Sequence, residues 1–284
     1  MNEVTIKKTK EYVKKNKSIK IYVCIISILI LSSIFAFLSP YDPTKIDINN
    51  KLVSPNKKHI FGTDDLGRDY FTRALYGGRV SLTVGFVSMI ISMTIGTLIG
   101  AISGYFGGRI DSFLMRTVDI IMSIPSFFII LIINAYFKPG IASIILIIGL
   151  FGWTSVARIV RSETLTLKER EYVLCSKTLG GNNFWIIFRH IIPNILSTII
   201  VSSTLNVASA ILTESSLSFL GFGVVEPFSS WGSMLRNAQK YMQDAPYLAA
   251  FPGILILLTV LSFNVLGDML RDVLDPRNIQ SQKF

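Results

Sequence analysis

The chain has 284 residues, 50% of them hydrophobic and 16% charged, where an ordinary soluble domain carries about 25% charged residues. A net charge of +10 raises nucleic acid as a partner, but seven lysines precede the first apolar run and further Lys and Arg gather at alternate run ends, which is the distribution membrane topology imposes. Apolar/polar alternation at period 2 is absent, which excludes a membrane β-barrel and leaves helices to satisfy the backbone in lipid, so the fold class is all-α and polytopic.

Six stretches free of Asp, Glu, Lys and Arg are long enough to be spans: 21–41, 80–108, 120–137, 139–157, 190–213 and 245–267. The lysine-rich residues 1–20 form an inner tail that either lies against anionic headgroups or acts only as a topology signal. The first run exceeds a signal-peptide h-region and lacks an A-x-A-like site, so it is expected to stay as a helix. Prolines 40, 43 and 55 mark an outer loop. From Gly67, the residues Arg68, Asp69, Arg73 and Arg79 interleave with Tyr70, Phe71, Leu75 and Tyr76, which predicts a short interfacial helix with its aromatic face toward lipid.

The second stretch places Ser88, Ser92, Gly96, Gly100 and Gly104 at every fourth position, a row that lets another helix approach closely. A Gly-rich inner turn with Arg109, Asp111, Arg116 and Asp119 follows, then a third span in which Pro125 is expected to cause a kink. Residues 134–140 read as a tight outer turn before the fourth span.

Residues 163–194 are a polar island between two apolar runs. One helix is expected over 163–179, with Ser162 as N-cap and an incomplete apolar stripe of Leu165, Leu167, Val173, Leu174 and Leu179 beside Lys168, Glu169, Arg170, Glu171 and Lys177. Gly180 or Gly181 supplies a left-handed step, and Asn182 or Asn183 caps a second short helix containing Trp185, Ile186 and Phe188. With Pro193 opening the fifth span, this reads as a rigid elbow through which force would pass into spans four and five.

The segment 214–247 is too apolar for a free loop and too short to cross twice, so it is expected to tuck into the protein at the outer membrane surface. The sixth span is expected from Phe251-Pro252-Gly253, with Asp268, Arg271, Asp272, Asp275 and Arg277 at its inner end. Asn206, Thr213 and Asn264 are candidates to line a pathway, with helix-packing contacts as the alternative; Glu214 is a candidate near an outer gate, or an end-of-helix anchor. Cys24 and Cys175 read as buried or inert thiols that topology keeps apart.

No P-loop, no dinucleotide turn and no metal or triad arrangement is present, because His59 and His190 fall on opposite sides of the membrane. No catalytic residue or cofactor follows from the residues. Moving a solute is what remains, and an ion-gradient transporter would need ionisable groups near the midplane, whereas Asp119, Glu214 and Asp268 read as lying at span ends.

The stretch ending LGGNNFWIIFRHIIPN resembles the cytoplasmic EAA-type loop of binding-protein-dependent ABC importer permeases, with Gly180 and Pro193 thirteen residues apart. Residues 59–85, 104–125 and 214–235 are similar to the second permease subunit of dipeptide, oligopeptide and nickel importers. The resemblance implies a type I importer permease fold. It implies a tail, first helix and external loop over 1–80, a permease domain over 81–272 containing a coupling loop over 158–190, and a tail over 273–284. It implies that Arg170, Glu171, Leu174, Cys175, Ser176, Lys177, Leu179, Gly180 and Pro193 belong to an ATPase-coupling loop. The usual Glu-Ala-Ala is matched here by Leu174, Cys175 and Ser176, with Glu171 about one helical turn earlier. The implied partners are two separate ATPase subunits, a non-identical second permease and an extracytoplasmic binding protein, with membrane lipid around them and no nucleic acid. The implied location is a bacterial cytoplasmic membrane, with both termini cytoplasmic; the implied cargo is peptide, with nickel as the alternative.

Overall fold

The computed structural model describes residues 17–136 and 140–274 and is helical, without strands among the described residues. Ten α-helices follow in chain order there: α1 Lys17–Ile34, α2 Tyr70–Phe106, α3 Gly108–Met122, α4 Ser126–Tyr136, α5 Ile141–Leu167, α6 Glu171–Thr178, α7 Asn183–Ile186, α8 Leu196–Leu220, α9 Trp231–Ala238 and α10 Tyr247–Leu274. The segments Ile19–Leu38, Tyr70–Phe106, Ile141–Leu167, Asn183–Leu220 and Tyr247–Leu274 are each long and apolar enough to cross a membrane. A sixth crossing exists only if α3 and α4, bent 78° from one another, count as one. On that count the ends of α2 and α5, the start of α1 and the end of α10 share one face, the island face; the loops 39–69 and 221–246 lie on the opposite face.

The third span therefore differs from expectation. Proline removes an amide donor and clashes with the preceding turn, and here Pro125 with Ser123 and Ile124 separates two helices. The 11 residues of α4 rise only about 16 Å, about half the hydrocarbon thickness, so α4 cannot cross alone.

The 37-residue α2 is the axis of the molecule. It begins at Tyr70, so the expected interfacial helix is instead its first turns, and the expected domain boundary at 80/81 falls inside it. Charge hid this continuity. Arg73 is 2% exposed, with its Nε 3.4 Å from Asp64 and its Nη1 donating to the Pro43 carbonyl at 3.2 Å. Arg79 donates to the Ser33 and Ile34 carbonyls at 3.2 and 2.8 Å, at the end of α1. Tyr70 is buried, with its hydroxyl donating to the Leu248 carbonyl at 2.6 Å, so its ring faces protein and not lipid.

The small-residue row packs α2 against α5. Ser88 and Ser92 donate to the Ile145 and Gly149 carbonyls at 3.1 and 2.9 Å. A Cβ on Gly100 would stand 2.5 Å from the Ala157 carbonyl oxygen, and one on Gly104 would stand 2.7 Å from the Thr164 Cβ. Where lipid supplies no hydrophobic drive, this closeness is itself the source of dispersion and interhelical hydrogen bonding.

On the opposite face the chain after α8 does tuck in. Trp231 is 1% exposed and its indole donates to the Ala74 carbonyl at 2.9 Å, while Ser230 caps α9 by a reciprocal bond with Ser233. An ion network that sequence pattern did not suggest holds the same face together. Asp64 and Arg68 pair at 2.7 Å, Arg68 reaches Glu226 at 3.1 Å, and His59 meets the α2 cap Asp69 at 2.8 Å. Burial pulls the Arg68 pKa down, but Asp64 and Glu226 more than reverse this and leave it above the ordinary arginine value. The last span starts at Tyr247, one turn before the expected Phe251, with Pro252 inside it; the Leu248 carbonyl four residues earlier, to which Pro252 has no amide to donate, accepts the Tyr70 hydroxyl instead. Cys24 and Cys175 are both exposed, so of the two readings, buried or inert, burial does not hold. Parts of the expected inner tail, the 134–140 turn and the 273–284 tail lie outside the described residues.

Candidate coupling surface and pathway residues

The island is built from two helices and a tight turn, but its first helix starts later than expected. α5 runs on through Arg158 and Arg161 to Leu167, so Ser162 lies inside a helix and caps nothing. No Gly or Pro interrupts 158–167, and the two arginines find carboxylate partners on α3. Residues 168–170 make the break, and Arg170, in extended conformation, starts α6 without a side-chain cap. The expected stripe is split by that break: Val173 is 1% exposed, whereas Leu174 and Leu179 are 45% and 88% exposed.

α6 ends in a Schellman wrap. The Gly181 amide donates to the Ser176 carbonyl at 3.0 Å and the Gly180 amide to Lys177 at 3.1 Å, with Gly180 at φ +82°. A Cβ on Gly180 would meet nothing within 4 Å, so glycine is required there by the backbone conformation alone. Asn182 then caps α7, accepting from the Phe184 amide at 2.9 Å. The Tyr105 hydroxyl donates to Asn183 at 3.0 Å and the Phe106 and Phe184 rings lie 6.1 Å apart, which ties the turn to the end of α2.

Between α7 and α8 the chain passes through a π turn, Ile187–Ile191, and a 3₁₀ turn, Ile192–Ile195. Pro193 explains both, since it has no amide to offer and crowds the turn before it. Asn194 answers part of the deficit by donating its side-chain amide to the His190 carbonyl at 2.6 Å. This irregular turn points Ile187, Ile191 and Ile195 inward, each at most 2% exposed, into one cluster with Met93 and Ala101 of α2 and Val156 and Val160 of α5. The elbow is thus fastened to two long helices, while Tyr172, Leu174, Leu179, Phe184, Trp185 and Phe188 remain 42–88% exposed around it. Sequence pattern missed this exposed apolar collar because it reads across two helices of different phase. Arg170, Glu171, Cys175, Lys177 and Pro193 are exposed beside it, and Ser176 is half-buried.

Of the four pathway candidates, Asn206, Thr213 and Glu214 lie on α8 and Asn264 lies on α10. Asn206, half-buried on α8, faces Gly152 of α5, where a Cβ would stand 3.7 Å from its amide nitrogen. The Thr213 hydroxyl donates to its own helix at Ser209, 2.9 Å away, and Asn264 is half-buried on α10. Glu214 corrects the expectation of a span-end position. It lies inside α8, fully buried, and accepts from Ser81 at 2.9 Å and Ser218 at 2.6 Å. No group of three or more metal-ligating side chains occurs among the described residues.

The family profile described as "Binding-protein-dependent transport system inner membrane component" matches residues 96–280, which include the whole island, all of α5 and the end of α2 from residue 96 onward. The chain belongs to this family. It is 41% identical over 265 residues to the oligopeptide transport system permease protein OppC of Bacillus subtilis (strain 168), covering 93% of this chain and 87% of that one. It is 41% identical to the dipeptide transport system permease protein DppC of the same organism, covering 93% and 83%. It is 42% identical to OppC of Haemophilus influenzae, covering 89% and 84%. Its fold is shared with two solved chains of the MetNI methionine ABC transporter in inward-facing conformations, at TM-scores of 0.57 and 0.59 and identities of 18% and 17%. These cover 70% and 72% of this chain and 95% and 98% of the solved ones. The protein is accordingly a multi-pass inner-membrane transport component with a type I permease fold.

Proposed function

We propose that this chain is one of two non-identical permease subunits of an ATP-driven importer of dipeptides or oligopeptides, forming half of the translocation pathway. The peptide assignment is carried by the names of the permeases it is most like among those described above; a nickel cargo has no such support. The observation that carries the mechanical part is the elbow: an exposed apolar collar on a turn that is fastened by buried isoleucines to α2 and α5.

Of the transporter's two separate ATPases, one grips the collar through Arg170, Glu171, Leu174, Cys175, Ser176, Lys177 and Leu179, within a coupling segment over 158–190. Their ATP-driven closure moves Gly180 and Pro193 as parts of one stiff body, and α2, α5 and α8 move with it. The chain itself does no nucleotide chemistry. In this reading the island face and both termini are cytoplasmic, and an extracytoplasmic binding protein delivers peptide to the opposite face. Residues 81–272 act as the permease domain, between a 1–80 lead and a 273–284 tail. Asn206, Thr213, Glu214 and Asn264 are assigned to the helices that line or stabilise the pathway.

The test is Gly180→Pro in the complete transporter reconstituted in liposomes. Proline cannot adopt a positive φ, so the Schellman turn is lost without touching a buried side chain. Peptide uptake and the stimulation of ATPase by loaded binding protein should both disappear; uptake at the wild-type rate would overturn the reading.

A further inference from the structure

Two arginines one helical turn apart on α5 hold two aspartates eight residues apart on α3. Arg161 grips Asp111 with two bonds of 2.6 Å, and Ser103 of α2 adds a third at 2.5 Å; the paired side chains are 32% and 15% exposed. Arg158 reaches Asp119 through one bond of 2.8 Å, between side chains 50% and 55% exposed. The contrast is physical. A bidentate, shielded pair with a third donor holds one geometry, whereas a single-bonded pair in water is screened and holds little.

Their positions give this contrast a use. Eight residues span about 12 Å along α3 and three span about 4.5 Å along α5, so the two pairs are spaced differently on the two helices. α3 ends three residues after Asp119, and the bend of 78° follows. Beyond it, Ile130 of α4 packs in one cluster with Ile144, Ile147 and Ile148 of α5 and with Leu217. Asn134, near its far end, donates to the Phe222 carbonyl on the opposite face. On the other side, Val156 and Val160, which flank Arg158, carry the buried isoleucines of the elbow.

We propose that Arg158 and Asp119 form a releasable latch and Arg161 and Asp111 its pivot, by which movement of the elbow is passed to the bent α3–α4 span. This rests on the coupling reading of the elbow given above. With the latch closed, α3 is held against α5 in the arrangement seen here. When the elbow shifts α5, the exposed pair parts, the pivot holds, and α3 swings about Asp111, turning α4 and its contacts on the opposite face. Arg158 and Asp119 are positioning residues; neither touches the cargo.

The experiment uses the reconstituted complete transporter and reads ATPase activity with and without loaded binding protein. Asp119→Asn and Arg158→Gln each remove an exposed partner and leave no buried charge unpaired. Each is expected to raise the unstimulated rate and lower the stimulation ratio about three- to fivefold, the upper range of what an exposed ion pair is worth. The swap Asp119→Arg with Arg158→Asp restores the pair in reverse and should return the ratio to within about twofold of wild type, the ordinary error of additivity. Should the swap not assemble, as judged by size exclusion of the complex, Arg158→Lys keeps the charge and should hold the ratio within the same about twofold margin. Wild-type ratios in both single variants, or single-variant ratios in an assembled swap, would overturn the latch. Gly180→Pro run in parallel separates the two claims: if it abolishes stimulation while the latch variants do not, the latch alone fails; if it leaves stimulation intact, the coupling reading fails with it.

Discussion

Adding a single methyl group at Gly100 puts the packing of α2 on α5 to a quantitative test. The new Cβ would stand 2.5 Å from the Ala157 carbonyl oxygen, 2.8 Å from the Val160 Cβ and 3.0 Å from the Arg161 amide, two of them backbone atoms that cannot rotate away. Carbon and carbonyl oxygen approach to about 3.3 Å at closest, so the helices must part locally by about 0.8 Å. Ser92 and Ser88 lie about 12 and 18 Å farther along α2, so their bonds to α5 survive a local parting. The expected loss for Gly100→Ala is therefore that of overpacking, about 1–3 kcal/mol. Gly253→Ala is the matched control, since a Cβ there meets nothing within 4 Å and alanine is the better helix former. Thermal unfolding of the purified transporter should show Gly100→Ala melting at least about 2 °C below wild type, at about 2 °C per kcal/mol, and Gly253→Ala at or above it. Equal melting of both variants with wild type would refute the close-approach argument.

Four further outcomes follow from named contacts. Trp231→Ala empties a site where the indole is 1% exposed and bonded to Ala74, and should cost about 3–5 kcal/mol in the same unfolding assay. Asp64→Ala leaves Arg68 and Arg73, which are 4% and 2% exposed, with only the more exposed Glu226 as a carboxylate partner, and should cost about 3 kcal/mol; a change under about 1 kcal/mol would mean that Glu226 or water compensates both charges. Glu214→Gln keeps an acceptor for Ser81 and Ser218 and should preserve ATP-dependent uptake, whereas Glu214→Leu leaves buried hydroxyls without a partner at about 1–3 kcal/mol; uptake that survives ATP depletion and stops with Glu214→Gln would instead point to a proton-driven carrier. Leu179→Asp, at a side chain 88% exposed, should leave stability within about 0.5 kcal/mol. It should weaken ATPase association about thirtyfold, as the loss of one interface hot spot of about 2 kcal/mol does, in a pull-down titration.

Charge content, the length of uncharged runs and the row from Ser88 to Gly104 were enough to read a helical membrane protein with one close helix pair, because hydrophobic thickness and small-residue packing act on local sequence. The left-handed step was legible to within Gly180 or Gly181, since such a step between two helices demands glycine wherever it occurs, and the structure puts it at Gly180 with φ +82°. The cap was legible to within Asn182 or Asn183, from residue type and position, and the structure chooses Asn182. The island's exposed collar was not, because Leu174, Leu179, Trp185 and Phe188 lie on helices whose relative phase depends on the turn at Pro193 and on where Ile187 and Ile191 are buried.

What local sequence determined, then, is which segments enter lipid and where the chain must turn, since both follow from the solvation of side chains and the conformational limits of Gly and Pro. What only the tertiary structure decided is where charge is tolerated. Arg73, Arg79 and Arg161 interrupt no helix because Asp64, the end of α1 and Asp111 stand beside them. Glu214 lies deep in α8 because Ser81, remote in sequence, offers its hydroxyl. A charged group is costly in an apolar setting until a partner is present, and that partner is set by how the helices pack.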